Sequence, residues 1–267
     1  MKIGFIGGGN MGGAIIGGMI SSGKYKAEDI SAVDLFKENV ERLVSEYGIK
    51  DGGNNKEIAG DSDILFLSIK PNVYGEVIRE IKEDLKDGCI VVSIAAGQSI
   101  NAVSELFGRE IKIVRVMPNT PALVGEGMAA VCGNEAVSEK EIKEIADIFN
   151  CFGIAEIVPE KMMDIVTAVS GSSPAFVYMF IEAMADAAVL GGMPRKQAYK
   201  FAAQTVLGSA KMVLDTGKHP GELKDMVCSP AGTTIEAVAE LERLGMRTTV
   251  IEAIRVCEKK SKAMGKK

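Results

Sequence analysis

The stretch KIGFIGGGNMGGAI, residues 2–15, constrains this chain more than any other. An apolar run from Ile3 to Ile6 meets glycines at 7, 9 and 12 in G-x-G-x-x-G spacing, and a helix-like segment then runs to about Ser22. A lone glycine pattern says little, but one placed between a strand and a helix predicts a floor for a dinucleotide. In that reading Gly7 permits the tight turn, Gly9 lets the backbone approach the pyrophosphate, and Gly12 allows close packing of helix on strand. The free N–H groups of Asn10 and Met11 face the phosphates, and the helix dipole adds to the attraction. Asp34 closes the next strand candidate about 20 residues further on, where a ribose-binding carboxylate is expected.

The rest of the first half supports the same architecture. Strand candidates lie at KIGFI, ISAVD ending at Asp34, 63–69, 89–94, 111–117, 127–133 and 153–158, and most are near-continuous apolar runs. Such runs suit parallel strands covered on both faces. Helix candidates alternate with them at about 10–22, 36–46, 72–84, 99–107 and 138–151. The expectation is a doubly wound α/β dinucleotide-binding domain of Rossmann type over residues 1–159. From 160 to 267 the chain reads as an all-α domain for substrate binding and dimerisation. Its helices are expected to start at Pro174, at Pro194 with an end near Gly217, near Gly232 and near Arg247. The lysine-rich tail EKKSKAMGKK is expected to fray. The helix opened by Pro174 is apolar on nearly every face, so it needs cover that one small bundle does not provide, and a homodimer or larger assembly follows.

Composition narrows the function. The 267 residues carry a net charge of −5 with charges interspersed, so no basic stripe offers itself to nucleic acid. Five cysteines are scattered without a C-x-x-C, as in a reduced, cytoplasmic protein. The apolar run after Lys2 is broken by Gly7–Gly9 and Asn10, which argues against a signal peptide. The apolar segment 175–193 contains Glu182 and Asp186 near its centre, so it reads as a buried helix of a soluble protein. His219 is the single histidine and lies in a turn-like GKHPGE, so no Ser-His-Asp or Cys-His system is available. No cluster has metal-ligand spacing.

Three further loops belong at the carboxyl ends of strands, where such sheets bind ligands. They are SIKPN (Ser68, Ile69, Lys70, Pro71), SIAAG (Ala95, Ala96) and MPNTP (Asn119). Lys70 reads either as a phosphate ligand or as a solvated lysine, and Asn119 either as a cofactor contact or as a turn stabiliser. If the cofactor carries a 2′-phosphate, Lys37, Asn55 and Lys70 are the groups available to it, whereas Asp34 favours an unphosphorylated ribose. The stretch CSPAGTTIEAVAEL, 228–241, places Ser229, Gly232, Thr233 and Thr234 at a helix start, which is either a seat for a carboxylate or a simple N-cap.

IGGGNMG, SIAAG, MPNTPALV, SGSSPAFVYMFIEAMADAAVLGGMPR and DMVCSPAGTTIEAV occur in this order, and the chain closely resembles the pyrroline-5-carboxylate reductase family over essentially its whole length. The resemblance implies reduction of 1-pyrroline-5-carboxylate to L-proline by NADPH or NADH, the last step of proline biosynthesis. It also implies a dimer with intertwined C-terminal helices, often assembled into rings. On the same grounds the substrate carboxylate meets the amides of Gly232, Thr233 and Thr234, the Thr234 hydroxyl meets the ring nitrogen, and Ser172 shapes the pocket. Two positions depart from the family's usual wording: Ala231 stands for a second glycine and Phe176 for a tyrosine. The competing readings are a β-hydroxyacid dehydrogenase and a non-enzymatic dinucleotide-binding redox sensor. The first needs a lysine on the helix after a second glycine motif, and residues 170–195 contain none.

Overall fold

A computed structural model describes residues 1–265. Eight strands form one sheet in the order β3-β2-β1-β4-β5-β6-β7-β8. They are β1 Ile3–Ile6, β2 Ile30–Val33, β3 Lys50–Asp51, β4 Ile64–Leu67, β5 Ile90–Ser93, β6 Lys112–Met117, β7 Gly127–Gly133 and β8 Gly153–Ile157. The first six are parallel, β7 runs antiparallel to β6, and β8 is parallel to β7. Helices α1 Asn10–Ser21, α2 Lys37–Tyr47, α3 Asn55–Asp61, α4 Tyr74–Ile81, α5 Ile100–Phe107 and α6 Glu139–Phe149 connect them.

Alternation along each strand divides the core. Phe5 and Phe66 stack with ring centroids 4.5 Å apart and lead through Phe149 to Phe152 on one face. Ile6, Leu65, Leu67 and Val91 point to the other face, onto Ile78, Ile81 and Val103 of α4 and α5. Burial on both faces is why these strands read as unbroken apolar runs.

The elements missed by periodicity are the short ones. β3 has two residues, and α3 owes its start to Asn54, whose side chain accepts from the N–H groups of Lys56 and Glu57. The expected helix at 72–84 is a 3₁₀ turn, Pro71–Val73, followed by the shorter α4. β2 stops at Val33, so Asp34 lies just beyond it.

The chain divides into two compact units, residues 1–172 with the segment from Cys257 onward, and Ser173–Val256. This division falls later than the expected 159/160. Residues 160–172, comprising a 3₁₀ turn, α7 (Met163–Val166) and a π-helical turn (Thr167–Ser172), stay with the sheet. Glu160 holds them there: its Oε1 accepts from Arg115 at 3.1 Å and from the N–H of Ile100 at 2.8 Å. Met163 adds apolar cover against Ala130 and Cys132.

The second unit contains α8 Pro174–Leu190, α9 Arg195–Thr216, α10 Pro220–Val227, α11 Thr233–Arg243 and most of α12 Met246–Met264. Gly217 ends α9 in the left-handed region, as expected. The unexpected α10 begins at His219, whose Nδ1 accepts from the Gly221 N–H. Within one chain α8 is not a buried helix: Ala185 is its only buried residue. Among the described residues, one stretch, Glu160–Leu190, is long and apolar enough by composition to cross a membrane, and little of its most apolar part is buried within the single chain. The tail does not fray where expected, since α12 continues to Met264 with Ser261 buried; Lys266 and Lys267 lie outside the described residues.

At the start of α6, Ser138 and Glu141 cap each other reciprocally, and Lys112 of β6 donates to Glu141 at 2.6 Å. The lysine first, then the Ser138 groups, lower the Glu141 carboxyl to about 2. A carboxyl lowered on folding stabilises above its unfolded pKa and loses that contribution as pH falls through the folded value. Both side chains are partly exposed, so the expected advantage over Glu141→Gln is only about 1 kcal/mol at pH 7. In urea unfolding the gap should hold above about pH 5 and narrow steadily toward pH 2.

Candidate active site

The sheet reverses its winding between β1 and β4, so the loops after these strands diverge and leave a crevice at their carboxyl ends. Gly7 turns there with φ +106°, and its N–H bonds to Val33 O at 2.8 Å. A Cβ on Gly7 would lie 2.5 Å from Ser68 O, and one on Gly12 would lie 2.3 Å from Gly7 O. Side chains are therefore excluded at both positions by backbone. Gly9 differs, because a Cβ there would meet nothing within 4 Å. It faces open space at the start of α1, where no side chain caps the first turn. The leading amides, those of Asn10 and Met11 among them, are thus left for an anion.

Asp34, expected as a ribose ligand, is engaged within the protein. Its Oδ2 accepts from the Gly8 N–H at 2.6 Å and its Oδ1 from the Phe36 N–H at 2.9 Å, so the carboxylate ties the glycine turn to the end of β2. Each oxygen retains a further lone pair for a hydroxyl donor. Arg42, which the sequence reading did not single out, supports the same turn from α2 by donating to Gly8 O at 3.2 Å.

Across the crevice, Ser68 carries a buried hydroxyl without a hydrogen-bond partner. An orphaned polar atom beside an open glycine and an uncapped helix is what a bound dinucleotide would satisfy, and the residues present fit that group. Ile69 follows half-buried, Lys70 is exposed, and Pro71 opens the 3₁₀ turn. Ala95 is buried and Ala96 half-buried after β5. Tyr74, another residue without a sequence signal, joins these two loops: its hydroxyl donates to Leu67 O at 2.9 Å and lies 3.1 Å from Ser93 Oγ. Burial pushes its phenol up to about 12, so it stays a neutral donor.

Two expected cofactor residues are engaged elsewhere. Asn55 donates its amide to Glu80 at 2.8 Å. Asn119 donates to Ser170 O at 3.0 Å and accepts from the Met128 N–H at 2.9 Å, so both ends of its amide fasten protein segments. A separate cleft of about 490 Å³ along α1, lined by Gly13, Gly17, Arg42, Tyr47 and Leu123, shares only Asn10 with the expected cofactor residues.

In the second unit, Ser229, Gly232, Thr233 and Thr234 do come together at the start of α11. Gly232 is the N-cap and supplies no side-chain cap, and a Cβ there would lie 2.3 Å from Ser229 Oγ. Ala231 holds φ +57°, a left-handed conformation that costs an L-residue about 1–2 kcal/mol. This turn thus keeps its strained shape without the usual glycine. Among the described residues, no three His, Cys, Asp or Glu side chains gather as a metal site.

A sheet opening between β1 and β4 onto free amides and an unspent hydroxyl belongs to the nicotinamide-dependent oxidoreductases. Residues 2–97 match the family described as NADP oxidoreductase, coenzyme F420-dependent, and residues 160–264 match pyrroline-5-carboxylate reductase dimerisation. Pyrroline-5-carboxylate reductase of Escherichia coli (strain K12) is 53% identical over 99% of this chain and 98% of its own length. The enzyme of Methanosarcina acetivorans is 44% identical over 100% and 98%. The crystal structure of Plasmodium falciparum pyrroline carboxylate reductase with NADP bound superimposes with a TM-score of 0.90 at 38% identity, covering 99% of this chain and 98% of that one. The chain belongs to the pyrroline-5-carboxylate reductase family, which sets aside the β-hydroxyacid dehydrogenase reading.

Gly9 offers a clean separation of binding from folding. Gly9→Ala should leave the melting temperature within about 3 °C, because no atom opposes the new methyl. NADPH affinity, read by fluorescence titration, should fall at least about tenfold, or ~1.4 kcal/mol.

Proposed function

We propose that this chain reduces 1-pyrroline-5-carboxylate to L-proline with NADPH or NADH, and that the uncapped start of α11 holds the substrate. Family membership supports the reaction; the observation that carries the assignment of residues is the Gly232 N-cap, which leaves the first α11 amides without a side-chain partner. A simple helix cap would have spent one of them. The Gly232 N–H, expected to join them, is already spent on Ser229 O at 3.1 Å, so the amides of Thr233 and Thr234 hold the substrate carboxylate, with Gly232 and Ser229 beside them and Ser172 shaping the pocket. Thr234 hydrogen-bonds the ring nitrogen. Gly7, Gly9, Asn10, Met11 and Gly12 receive the pyrophosphate, Asp34 the ribose, and Ser68–Pro71 with Ala95 and Ala96 flank the nicotinamide.

The dinucleotide supplies the hydride. The imine carbon accepts it while the nitrogen carries the proton, and the product is a secondary amine. A cyclic imine protonates in water at moderate pH, so the protein must supply position and polarity more than a strong acid. A chain with one histidine, spent as the cap of α10, is adequate for this. The exposed apolar residues of the second unit, among them Tyr178, Met179, Phe180, Phe201 and Leu214, are the surface on which a second copy docks. The reading extends to rings of such dimers and to a cytoplasmic protein without nucleic-acid or membrane partners.

Steady-state oxidation of NADH and NADPH with pyrroline-5-carboxylate tests the activity directly, and a redox sensor would show no turnover. Thr234→Ala should lower kcat/KM for the imine by roughly five- to 150-fold, the equivalent of ~1–3 kcal/mol, with cofactor affinity near normal. Thr234→Ser should recover much of the loss. An alanine variant within about twofold of the parent would leave Thr234 a helix residue only.

Cofactor choice is tested at Asp34. Asp34→Ser removes a negative charge from the ribose end, and the NADPH:NADH ratio of kcat/KM should rise about tenfold, near the ~1.5 kcal/mol of one contact to a charged group. An unchanged ratio would reduce Asp34 to a brace for the Gly8 turn.

A further inference from the structure

The last turns of α12 touch three separate parts of the first unit, and they do so from one helix face. Cys257, Ser261 and Met264 follow i, i+4, i+7 spacing, so their side chains share a side of the helix. The Cys257 thiol donates to Ser172 Oγ at 3.2 Å. One turn later Ser261 Oγ, in a buried residue, donates to Asp164 Oδ1 of α7 at 2.6 Å. Met264 then packs on the loop that carries Ala95 and Ala96: a Cβ added to Gly97 would lie 3.0 Å from Met264 Cβ.

Ser172 itself ends a π-helical turn, Thr167–Ser172, whose wide spacing gives less local support than an α-helix. The turn is held from outside on two sides. Asn119 fastens the Ser170 carbonyl, and Cys257 fastens the Ser172 hydroxyl. A thiol has one proton, and giving it to Ser172 Oγ occupies an acceptor site while leaving the serine proton free to donate. Ser172 is thereby oriented as a donor, which suits a carboxylate.

We propose that Cys257 is a positioning residue for the imine substrate, acting through Ser172, and that the Cys257–Ser261–Met264 face of α12 keeps Ser172 and the Ala95–Gly97 loop in place. This rests on the reading above that Ser172 lines the substrate pocket. The thiol works as a hydrogen-bond donor, with no covalent or redox step.

The test is a double-mutant cycle on the full-length enzyme, comparing Cys257→Ala, Ser172→Ala and the double variant, with Cys257→Ser as the conservative control. Cys257→Ala should raise KM for pyrroline-5-carboxylate about three- to tenfold, as expected for loss of a weak donor. KM for NADPH and the melting temperature should stay near their parent values. Cys257→Ser, which keeps a donor, should return to within about twofold of the parent, and the double variant should be no worse than Ser172→Ala alone. If Ser172→Ala is impaired while Cys257→Ala is not, or if the two losses multiply, the positioning role is refuted and the pocket reading survives. Should Ser172→Ala itself be within about twofold of the parent, the pocket reading fails and the proposal fails with it. A Cys257→Ala loss spread equally over both substrates and the melting temperature overturns the proposal in favour of general support.

Discussion

The first unit depends on how closely α1 approaches the turn after β1. A Cβ on Gly12 would lie 2.3 Å from the Gly7 carbonyl, and one on Gly7 would lie 2.5 Å from the Ser68 carbonyl. Helix, turn and the neighbouring β4 loop are thus in backbone contact, with no layer of side chains between them. That contact puts the start of α1 at the mouth of the crevice, where its unpaired amides can act on a ligand. Asp34 then fixes the turn from below, because its two oxygens bind the Gly8 and Phe36 amides at once. The same carboxylate is a structural brace and, in the proposed function, also the group that faces the ribose.

Support for the loops comes from residues remote from the chemistry. Tyr74 links the ends of β4 and β5 through one buried hydroxyl, and Asn119 links the loop after β6 to both β7 and the π-helical turn. Glu160 accepts from Arg115 and the first turn of α5, tying residues 160–172 into the first unit. Tyr74, Asn119 and the Arg115 that Glu160 pairs with are buried, where a hydrogen bond left unmade is costly. The loops are held by such contacts, so their small residues can remain small.

The second unit has a different balance. Its helices are correctly punctuated, by Pro174 at the first position of α8 and Gly217 after α9, yet little of their apolar surface is covered within one chain. A polypeptide of this kind places the cost of exposed surface on self-association, in keeping with the dimerisation family that residues 160–264 match.

The sequence by itself determined the parallel strands, the glycine turn and the main helices, because burial on two faces and a helix stop at Gly217 leave marks in local residue order. It also carried the family, through motifs spread over the whole length. The short β3, α3 and α10 left no periodicity to read, and α12 continues through a lysine-rich tail because Ser261 finds Asp164, a partner 97 residues away. Local propensity cannot register such a contact. Tertiary structure alone decided that Asn119 and Asn55 spend their amides on protein groups, that Asp34, expected as a ribose ligand, braces the Gly8 turn, and that Cys257 meets Ser172. A side chain's type is written in the sequence, but which of its hydrogen bonds remain free is set by what the fold brings within about 3 Å of it.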